Sequence, residues 1–268
     1  MRGDADPRAV ASILRALELV ESSLGESVGV EDMAGAAAYS LFHFSRLFAA
    51  GTGHSPYDYL MRRRVAVAAE RAAESNASLT EIALDFGFDS PDGFARAFRR
   101  CFGLAPSEAR RLGTYPRAVA RTRIGADMIE FLLAAGPIVP VRVEAEETPL
   151  IGLPCEGEEA VQSARSLLGP GTLLVFTAPD GRAFAGRPSP LGAEALFPLC
   201  LTRLPQGQRA RFVVAREGRG TVGKDLGLLR DFAHRAWLPG AGYAAPPAGE
   251  VVEYGADGAI ALDVILPR

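Results

Sequence analysis

Two arginines, Arg46 and Arg96, occur in the same local sequence and are of a type that can bind nucleic-acid bases. Each lies in the phrase Ser-x-x-x-Phe-x-Arg-x-Phe-x-x-x-x-Gly-x-x-Pro, which runs from Ser40 to Pro56 and again from Ser90 to Pro106. Six identical positions at one offset of 50 argue against coincidence. A guanidinium can donate two hydrogen bonds to guanine O6 and N7, which discriminates between bases by about 1–3 kcal/mol.

Other reactive residues show no pattern that predicts an enzyme. The cysteines are Cys101, Cys155 and Cys200, and the histidines are His43, His54 and His234. None has the spacing of a zinc site, and the sequence contains no Ser/His/Asp or Cys/His arrangement. We therefore expect no metal, no cofactor and no catalytic nucleophile, and we interpret the cysteines as core or half-buried thiols.

Composition is typical of a globular protein with two ordinary domains. The chain has 268 residues, of which 48% are apolar and 23% charged. No run approaches the roughly 18 apolar residues of a membrane span, and the acidic start from Asp4 to Pro7 does not resemble a signal sequence. We expect a cytoplasmic protein without membrane contact.

The elements that must position the two arginines are helices. Apolar spacing predicts a helix from Pro7 to Leu24, then two pairs of short helices, with a helix from Ser55 to Glu74 between the pairs. The first pair is Val30 to Ala37 and a helix capped by Ser40; the second is Leu79 to Phe86 and a helix capped by Asp89 or Ser90. Two short helices joined by a tight turn form a helix-turn-helix, whose second helix, the recognition helix, enters the major groove.

The charge of this half requires explanation, because residues 1–115 hold 13 Arg against 15 Asp plus Glu, a balance of −2. DNA binders usually carry a basic surface. Arginine clusters can supply one locally, at Arg62-Arg63-Arg64, Arg99-Arg100 and Arg110-Arg111. The alternative for each cluster is an ordinary solvated helix face.

Residues 8–111 resemble the DNA-binding domain of AraC/XylS-type transcriptional regulators, an all-α fold in which a central helix joins two helix-turn-helix units. The residues that carry this resemblance are Tyr39-Ser40, Phe44-x-Arg46-x-Phe48, Gly53-His54-Ser55, Tyr59-Leu60, Arg63, Ala69, Ile82-Ala83, Gly87-Phe88, Phe94-x-Arg96-x-Phe98 and Gly103-x-x-Pro106. The resemblance implies domain bounds of 1–112 and double-stranded DNA as a partner.

By position, the resemblance also implies which side chains face the bases. They are Phe42, Ser45 and Arg46 on the first recognition helix, and Asp92, Gly93 and Arg96 on the second. Phe can contact a thymine methyl and Asp can accept from cytosine N4, whereas glycine offers no side chain. A glycine inside a helix also costs about 1 kcal/mol relative to alanine, so we expect fewer base contacts from the second unit.

Phosphate contacts are expected from Arg99 and Arg100. The alternative for Arg46 and Arg96 is an ion pair with a nearby acid such as Glu31 or Glu81.

The carboxyl-terminal half has a mixed pattern. After a linker at 113–140 with one short helix, strands are predicted at Val141–Glu144, Leu150–Leu153, Thr172–Thr177, Ala183–Gly186, Leu196–Leu204, Arg209–Ala215, Glu250–Tyr254 and Ile260–Leu266. Helices are predicted at Glu158–Leu168 and Gly223–Trp237, and Asp257-Gly258 is typical of a hairpin turn. This order predicts an α+β domain over residues 141–268.

Residues 209–268 resemble the GyrI-like ligand-binding domain, through Phe232, Trp237-Leu238-Pro239, Gly242-Tyr243, Glu250, Glu253-Tyr254 and Ile265-x-Pro267. The resemblance implies a duplicated β-α-β-β unit with an antiparallel sheet and a ligand cleft that contains Glu253. The candidate walls are Tyr254, Trp237, Tyr243, Phe212 and Phe176. An acid in an aromatic pocket favours a flat cation. The alternatives are core packing for the aromatics and a surface position for Glu253.

Together these observations favour a transcriptional regulator that binds an asymmetric DNA site and senses a small amphipathic effector, for which the acid in the cleft favours a cation. One alternative is a second domain that contacts only proteins, such as RNA polymerase. The other is hydrolysis of reactive electrophiles, with Glu253 as general base. The sequence does not identify the operator, the effector, the oligomeric state or the direction of regulation.

Overall fold

The amino-terminal part is helical throughout, as the sequence predicts. Its helices are α1 (Pro7–Ser22), α2 (Val30–Ala37), α3 (Leu41–Thr52), α4 (Pro56–Glu74), α5 (Leu79–Asp85), α6 (Pro91–Phe102) and α7 (Pro106–Leu112). The structure is a computed structural model that describes residues 5–112, 124–155, 157–169, 171–190, 195, 198–214, 222–238, 241, 247–255 and 260–267. The side chains of residues 157–161, 214 and 222–223 are outside that description.

Serine caps start the helices that the repeat contains. Ser40 Oγ accepts the N–H of His43 at 3.4 Å, and Ser90 Oγ accepts that of Gly93 at 3.1 Å. Each cap satisfies one of the amide groups that a helix leaves unpaired at its start. Of the two caps that the sequence leaves open for α6, the structure has Ser90. Gly93 then lies in the first turn of α6, outside the helix interior where glycine costs most.

The turns of the two helix-turn-helix units have the same hydrogen bonds but different lengths. Tyr39 N–H donates to Ala34 at 3.1 Å and Phe88 N–H donates to Ala83 at 2.9 Å, each beside a left-handed residue. Those left-handed residues are Ala38 (φ 61°) and Gly87 (φ 69°). They lie 49 positions apart, whereas the caps lie 50 apart. The second turn therefore holds one additional residue, Asp89.

The amino-terminal helices enclose two apolar cores, and α4 contributes to both. Tyr59 and Leu60, in its first half, pack with Phe44 and Phe48 of α3. Its second half, from Val65 to Ala72, packs with α5 and α6. The central helix is therefore a shared wall of both helix-turn-helix units.

The helix predicted inside the linker joins the first of these cores. It is α8 (Ala126–Ala135), and its Ile129 is fully buried among residues of α1 and α3. The chain divides into two units, Met1–Pro137 with Asp231–Ala244, and Ile138–Arg230 with Ala245–Arg268. The first unit therefore extends beyond the predicted bound at residue 112, because α8 has an apolar face that packs on α3. Residues 113–123 lie outside the described residues.

The second unit is built around an antiparallel sheet. Its strands are β1 (Val141–Ala145), β2 (Thr148–Cys155), β3 (Leu173–Thr177), β4 (Ala183–Pro188), β5 (Cys200–Leu204), β6 (Gly207–Val214), β7 (Gly249–Tyr254) and β8 (Ile260–Ile265). They pair in the order β1-β6-β8-β7-β3-β4-β2-β5, and every pair is antiparallel. The predicted strands and the α+β class are thus confirmed, although β5 begins at Cys200. The Asp257-Gly258 turn lies outside the described residues.

Helices α9 (Gly157–Leu168) and α10 (Val222–Phe232) lie between strands in the second half of the chain. Helix α9 lies against β2 and β4. Helix α10 continues as a π-helical turn over Ala233–Trp237, a segment that groups with the first unit. The predicted helix Gly223–Trp237 is confirmed with this change of hydrogen bonding in its last turn.

Ala38→Gly should stabilise the first unit. A left-handed conformation costs an L-residue about 1–2 kcal/mol, while the larger entropy of glycine in the unfolded chain offsets part of that gain. Because the Ala38 side chain is exposed, no packing is lost. We expect about 0.5–1 kcal/mol of added stability in urea unfolding followed by helical circular dichroism. Ala49→Gly, at an exposed position inside α3, should instead lower stability by about 1 kcal/mol. Equal effects of the two changes would contradict backbone strain at Ala38.

Candidate functional site

The first recognition helix, α3, separates packing residues from exposed ones. Phe44 and Phe48 are fully buried, whereas Phe42 is 74% exposed. The Arg46 guanidinium lies 5.8 Å from the Phe42 ring centroid, so the two predicted base-contacting side chains form one surface feature. Ser45 Oγ donates to the Leu41 carbonyl at 2.8 Å, which leaves this hydroxyl able to accept but not to donate.

The second recognition helix, α6, presents a corresponding surface. Phe94 and Phe98 are buried, and Asp92, Arg96 and Arg99 are exposed. Among the described residues, neither Arg46 nor Arg96 forms an ion pair. The alternative pairing with Glu31 or Glu81 does not occur among these residues; the Glu81 carboxylate instead accepts the Ser78 N–H in a capping box at 2.8 Å.

Arg100, predicted to contact phosphate, forms an ion pair with Asp58 in the first turn of α4. Its side chain is still 62% exposed. Asp58 also accepts from Arg62 Nε at 2.6 Å and lies 3.3 Å from His54 Nδ1. Burial alone would raise the pKa of Asp58, but hydrogen bonds from His54 and Arg62 lower this pKa well below its usual range. One carboxylate thus joins the end of α3, the start of α4 and the last turn of α6.

The Arg62-Arg63-Arg64 cluster is neither an exposed basic surface nor a solvated face, because all three side chains are buried. Arg63 donates from Nε and Nη2 to the two oxygens of Glu21 in α1, at 2.5 and 2.7 Å. Arg64 donates from Nη2 to the carbonyls of Glu26 and Val28, at 2.7 and 3.1 Å. These arginines hold neighbouring elements against α4.

Arg110 has a similar structural role near α4. It donates to the carbonyls of Ala72 and Ala77, at 3.3 and 2.8 Å, where α4 ends and α5 approaches. Sequence reasoning missed these roles. The available signal was the position of three consecutive arginines in a helix otherwise rich in buried alanine, since about 100° separates successive residues and no single exposed face holds all three.

Glu253, the predicted ligand-binding acid, is already paired with a residue that the prediction missed. Its carboxylate lies 3.3 Å from Arg211 Nη2. Arg211 also donates to both oxygens of Asp263, at 2.7 and 2.8 Å, and Asp263 is only 3% exposed. Arg209, also buried, lies 3.9 Å from Asp263. The site is a balanced cluster of two arginines and two acids, where the prediction had a single carboxylate.

The predicted aromatic walls do not all accompany Glu253. The strand register puts Phe176 on the same face of the sheet as Glu253, whereas Phe212 and Tyr254 lie on the opposite face. Successive residues of a strand point to opposite faces, so Glu253 and Tyr254 cannot line one surface. Phe212 is fully buried, and Arg165 of α9 lies 5.4 Å from the Tyr254 ring centroid.

The remaining two predicted walls lie elsewhere in the chain. Trp237 ends the π-helical turn that groups with the first unit. Tyr243 lies outside the described residues. Of the predicted walls that the structure describes on strands, Phe176 is thus the one that the register brings to the Glu253 face.

Metal-binding clusters and membrane-spanning helices are both absent from the described residues. No group of three or more His, Cys, Asp or Glu side chains in them is arranged to hold a metal ion. Within the same part of the chain, no helix has both the length and the apolar character that crossing a membrane requires.

Asp58 should make the first unit sensitive to acid. Since its pKa is lower in the folded chain than the roughly 3.9 of an unfolded aspartate, its stabilisation is present above pH about 5 and is lost as pH falls below about 4. The stability gap between the native protein and Asp58→Asn should therefore shrink by up to about 1.4 kcal/mol per pH unit below pH 4. Urea unfolding between pH 6 and 3 measures this gap.

Asp85→Asn is the matched control, because Asp85 forms an exposed ion pair with Arg71. Exposed ion pairs contribute about 0–1 kcal/mol, so the difference in unfolding free energy between the native protein and Asp85→Asn should stay small at every pH. A gap for Asp58→Asn that is constant across this pH range would contradict the proposed role of the carboxylate.

Comparison with known proteins supports the resemblance of the amino-terminal half. The family model described as a helix-turn-helix domain matches residues 33–112. The chain is 32% identical over 146 residues to Right origin-binding protein of Escherichia coli (strain K12), covering 53% of this chain and 48% of that protein. It thus spans about half the length of that relative.

Two further similarities concern shorter proteins. A solved structure from Chromobacterium violaceum, described as a transcriptional regulator with an AraC-type DNA-binding domain, matches with 26% identity. The match covers 38% of this chain and 92% of that chain, with a TM-score of 0.37. Probable transcription factor PqrA of Proteus vulgaris is 33% identical over 107 residues, which cover 40% of this chain and 87% of PqrA. With most of that relative matched, the chain belongs to the AraC-type helix-turn-helix family.

Proposed function

We propose that this chain is a sequence-specific DNA-binding transcriptional regulator with two unequal recognition helices. The observation that carries the proposal is the pair Arg46 and Arg96, exposed at equivalent positions of α3 and α6 and without ion pairs among the described residues. An arginine without an ion pair can use two of its guanidinium N–H donors for guanine O6 and N7. PqrA, a relative by sequence, is itself described as a probable transcription factor.

The length of the connecting helix supports binding to successive major-groove segments. Helix α4 has 19 residues and so spans about 28 Å, at 1.5 Å per residue. One turn of DNA is about 34 Å, so we expect the DNA to bend toward the protein. Because α3 offers Phe42, Ser45 and Arg46 while α6 offers Asp92 and Arg96, the DNA site should be asymmetric.

Arg46→Ala and Arg96→Ala should each relax sequence preference in a different block of the site. DNA selected from a random pool by the full chain supplies the reference duplex. Each variant should lose about 1–3 kcal/mol of discrimination in its own block and keep it in the other. Arg8→Ala, an exposed arginine of α1, serves as control and should bind like the native protein. Unchanged preference in both variants would sink the assignment.

We also propose that the second unit is a duplicated β-α-β-β domain that senses a small amphipathic cation. The strand order supports duplication. If β1, β2, β3 and β4 are exchanged in turn with β5, β6, β7 and β8, the strand order becomes the same order read from the other edge of the sheet. Each half then contains one β-α-β-β unit, β2-α9-β3-β4 or β6-α10-β7-β8, preceded by one additional strand, β1 or β5.

The Glu253 face supports the cationic ligand. Arg211 makes two short bonds to Asp263 but one longer contact of 3.3 Å to Glu253, so Glu253 is the weaker partner. About a third of its side chain is exposed. A flat cation seated beside Phe176 could pair with Glu253 without disrupting the Arg211–Asp263 pair.

Glu253→Gln should reduce stabilisation by cationic aromatic compounds. In a thermal-shift screen, compounds that raise the Tm of the native protein should raise that of Glu253→Gln less, since one charge pairing is lost. Glu250→Gln is a matched control, because Glu250 lies three residues away on the opposite face and pairs with Arg230. Equal shifts in all three proteins would refute a charge-selecting Glu253, and no shift with any cation would favour a protein partner.

A further inference from the structure

An open cavity of about 960 Å³ lies in the first unit, between the loop that precedes α2 and the second helix-turn-helix motif. One wall is the start of the second recognition helix, with Ser90, Gly93 and Arg96. The opposite wall is the loop from Glu26 to Val28 that leads into α2. Helix α4 forms the side between them.

This location matters because of how a helix-turn-helix contacts DNA. The first helix of the motif crosses the phosphate backbone, and the second enters the major groove with its amino-terminal residues toward the bases. The cavity therefore lies between the loop that leads into the backbone-crossing helix of the first motif and the groove-entering helix of the second. A DNA strand that passes from one major-groove segment to the next would run along it.

Four arginines line the cavity, and they differ in their freedom. Arg62 and Arg64 are buried behind it, and each has a nitrogen without a hydrogen-bond partner among the described residues, Nη1 of Arg62 and Nε of Arg64. Arg100 is exposed at the rim, where its ion pair with Asp58 restricts its position. Arg96 is exposed on the neighbouring wall.

The acids near the cavity do not cancel these charges. Glu26 and Asp89 also line it, and Asp58 pairs with Arg100, so the four guanidinium groups outnumber these three carboxylates by one. A guanidinium has five donors, and Arg100 uses only part of them for Asp58. The ion pair with Asp58 already restricts the Arg100 side chain, which lowers the entropy cost when its remaining donors bind an anion.

The apolar part of the lining suits a sugar-phosphate chain. Tyr57 is 60% exposed and Leu84 is 58% exposed, although both are bulky. Together they offer an apolar surface for deoxyribose and a phenolic hydroxyl that can donate to phosphate. A free phosphate ion would use the donors but not this surface.

We propose that this cavity holds a phosphate of the DNA backbone between the two major-groove segments, with Arg100 and Tyr57 as donors and Asp58 as the residue that positions Arg100. The inference rests on the DNA-binding function proposed above. It changes the role of Arg100 from a general phosphate clamp to a contact at one defined place in the site.

Methylphosphonate scanning of the selected duplex tests the inference. Neutral linkages placed one at a time between the two sequence blocks should lower the affinity of the native chain about tenfold at one or two positions, since a charge-assisted hydrogen bond is lost there. In Arg100→Gln those positions should no longer matter. The slope of log affinity against log salt should also fall by about 0.9 in that variant.

Arg71→Gln is the matched control, because Arg71 is also an exposed arginine paired with an aspartate but lies outside the cavity lining. It should keep the native methylphosphonate pattern. Tyr57→Phe removes only a hydroxyl and should reduce the loss of affinity that neutral linkages cause at the same positions. This variant keeps the test valid if circular dichroism shows that Arg100→Gln folds poorly.

The failures of the two proposals are distinguishable. If selected DNA shows two blocks but no sensitive linkage between them, or if the sensitivity survives in both Arg100→Gln and Tyr57→Phe, the cavity assignment is wrong and DNA recognition stands. If no sequence is selected, both proposals fall. Calorimetry with pyrophosphate in place of DNA covers the other source of phosphate: binding that depends on Arg100, without any sensitive linkage, would overturn the DNA assignment.

Discussion

The buried arginines of α4 are the interactions on which the first unit depends. Arg62, Arg63 and Arg64 follow one another along the helix and so point in directions that span about 200°. Arg62 bonds to Asp58, which also pairs with Arg100 of α6. Arg63 bonds to Glu21 of α1, and Arg64 bonds to the carbonyls of the loop before α2. A single turn of helix thereby connects both helix-turn-helix units.

These bonds are costly to break because they are buried. Leaving one member of a buried ion pair without its partner typically costs about 3–5 kcal/mol. Arginine suits this role, since its fork binds two oxygens at once, as Arg63 does with Glu21. The apolar cores add to the constraint, because α4 supplies Tyr59 to one and Val65 to the other. The distance between α3 and α6 is therefore determined by packing and charge together.

The same bonds limit the basic surface that a domain with a charge of −2 over residues 1–115 can offer to DNA. Several of its arginines form hydrogen bonds with internal carbonyl groups or ion pairs with carboxylates, so they contribute little to a basic surface. The exposed cations Arg46, Arg96 and Arg99 remain on the recognition helices. Binding must then rely on placed contacts more than on general attraction, which favours specificity over bulk affinity.

Much of the fold follows from local signals in the sequence. Serine caps, helical spacing and the Phe44 and Phe48 face predict the helices nearly to the residue, because these interactions act over four positions or fewer. Long-range pairing is different: nothing near Arg211 in the sequence indicates that it meets Asp263, 52 positions away. The grouping of Tyr254 with Glu253 neglected the pleat of a strand. The packing of α8 on α3 depends on a tertiary contact at Ile129, which composition does not predict.

The spacing between the two blocks of the selected DNA site tests the rigid connection through α4 most directly. Inserting five base pairs between the blocks turns one of them by about half a helical turn, to the far side of the duplex. If α4 holds the recognition helices at one separation, the affinity of the full chain should fall to that of a duplex with a single block. An affinity that is unchanged by the insertion would contradict a rigid connection through α4.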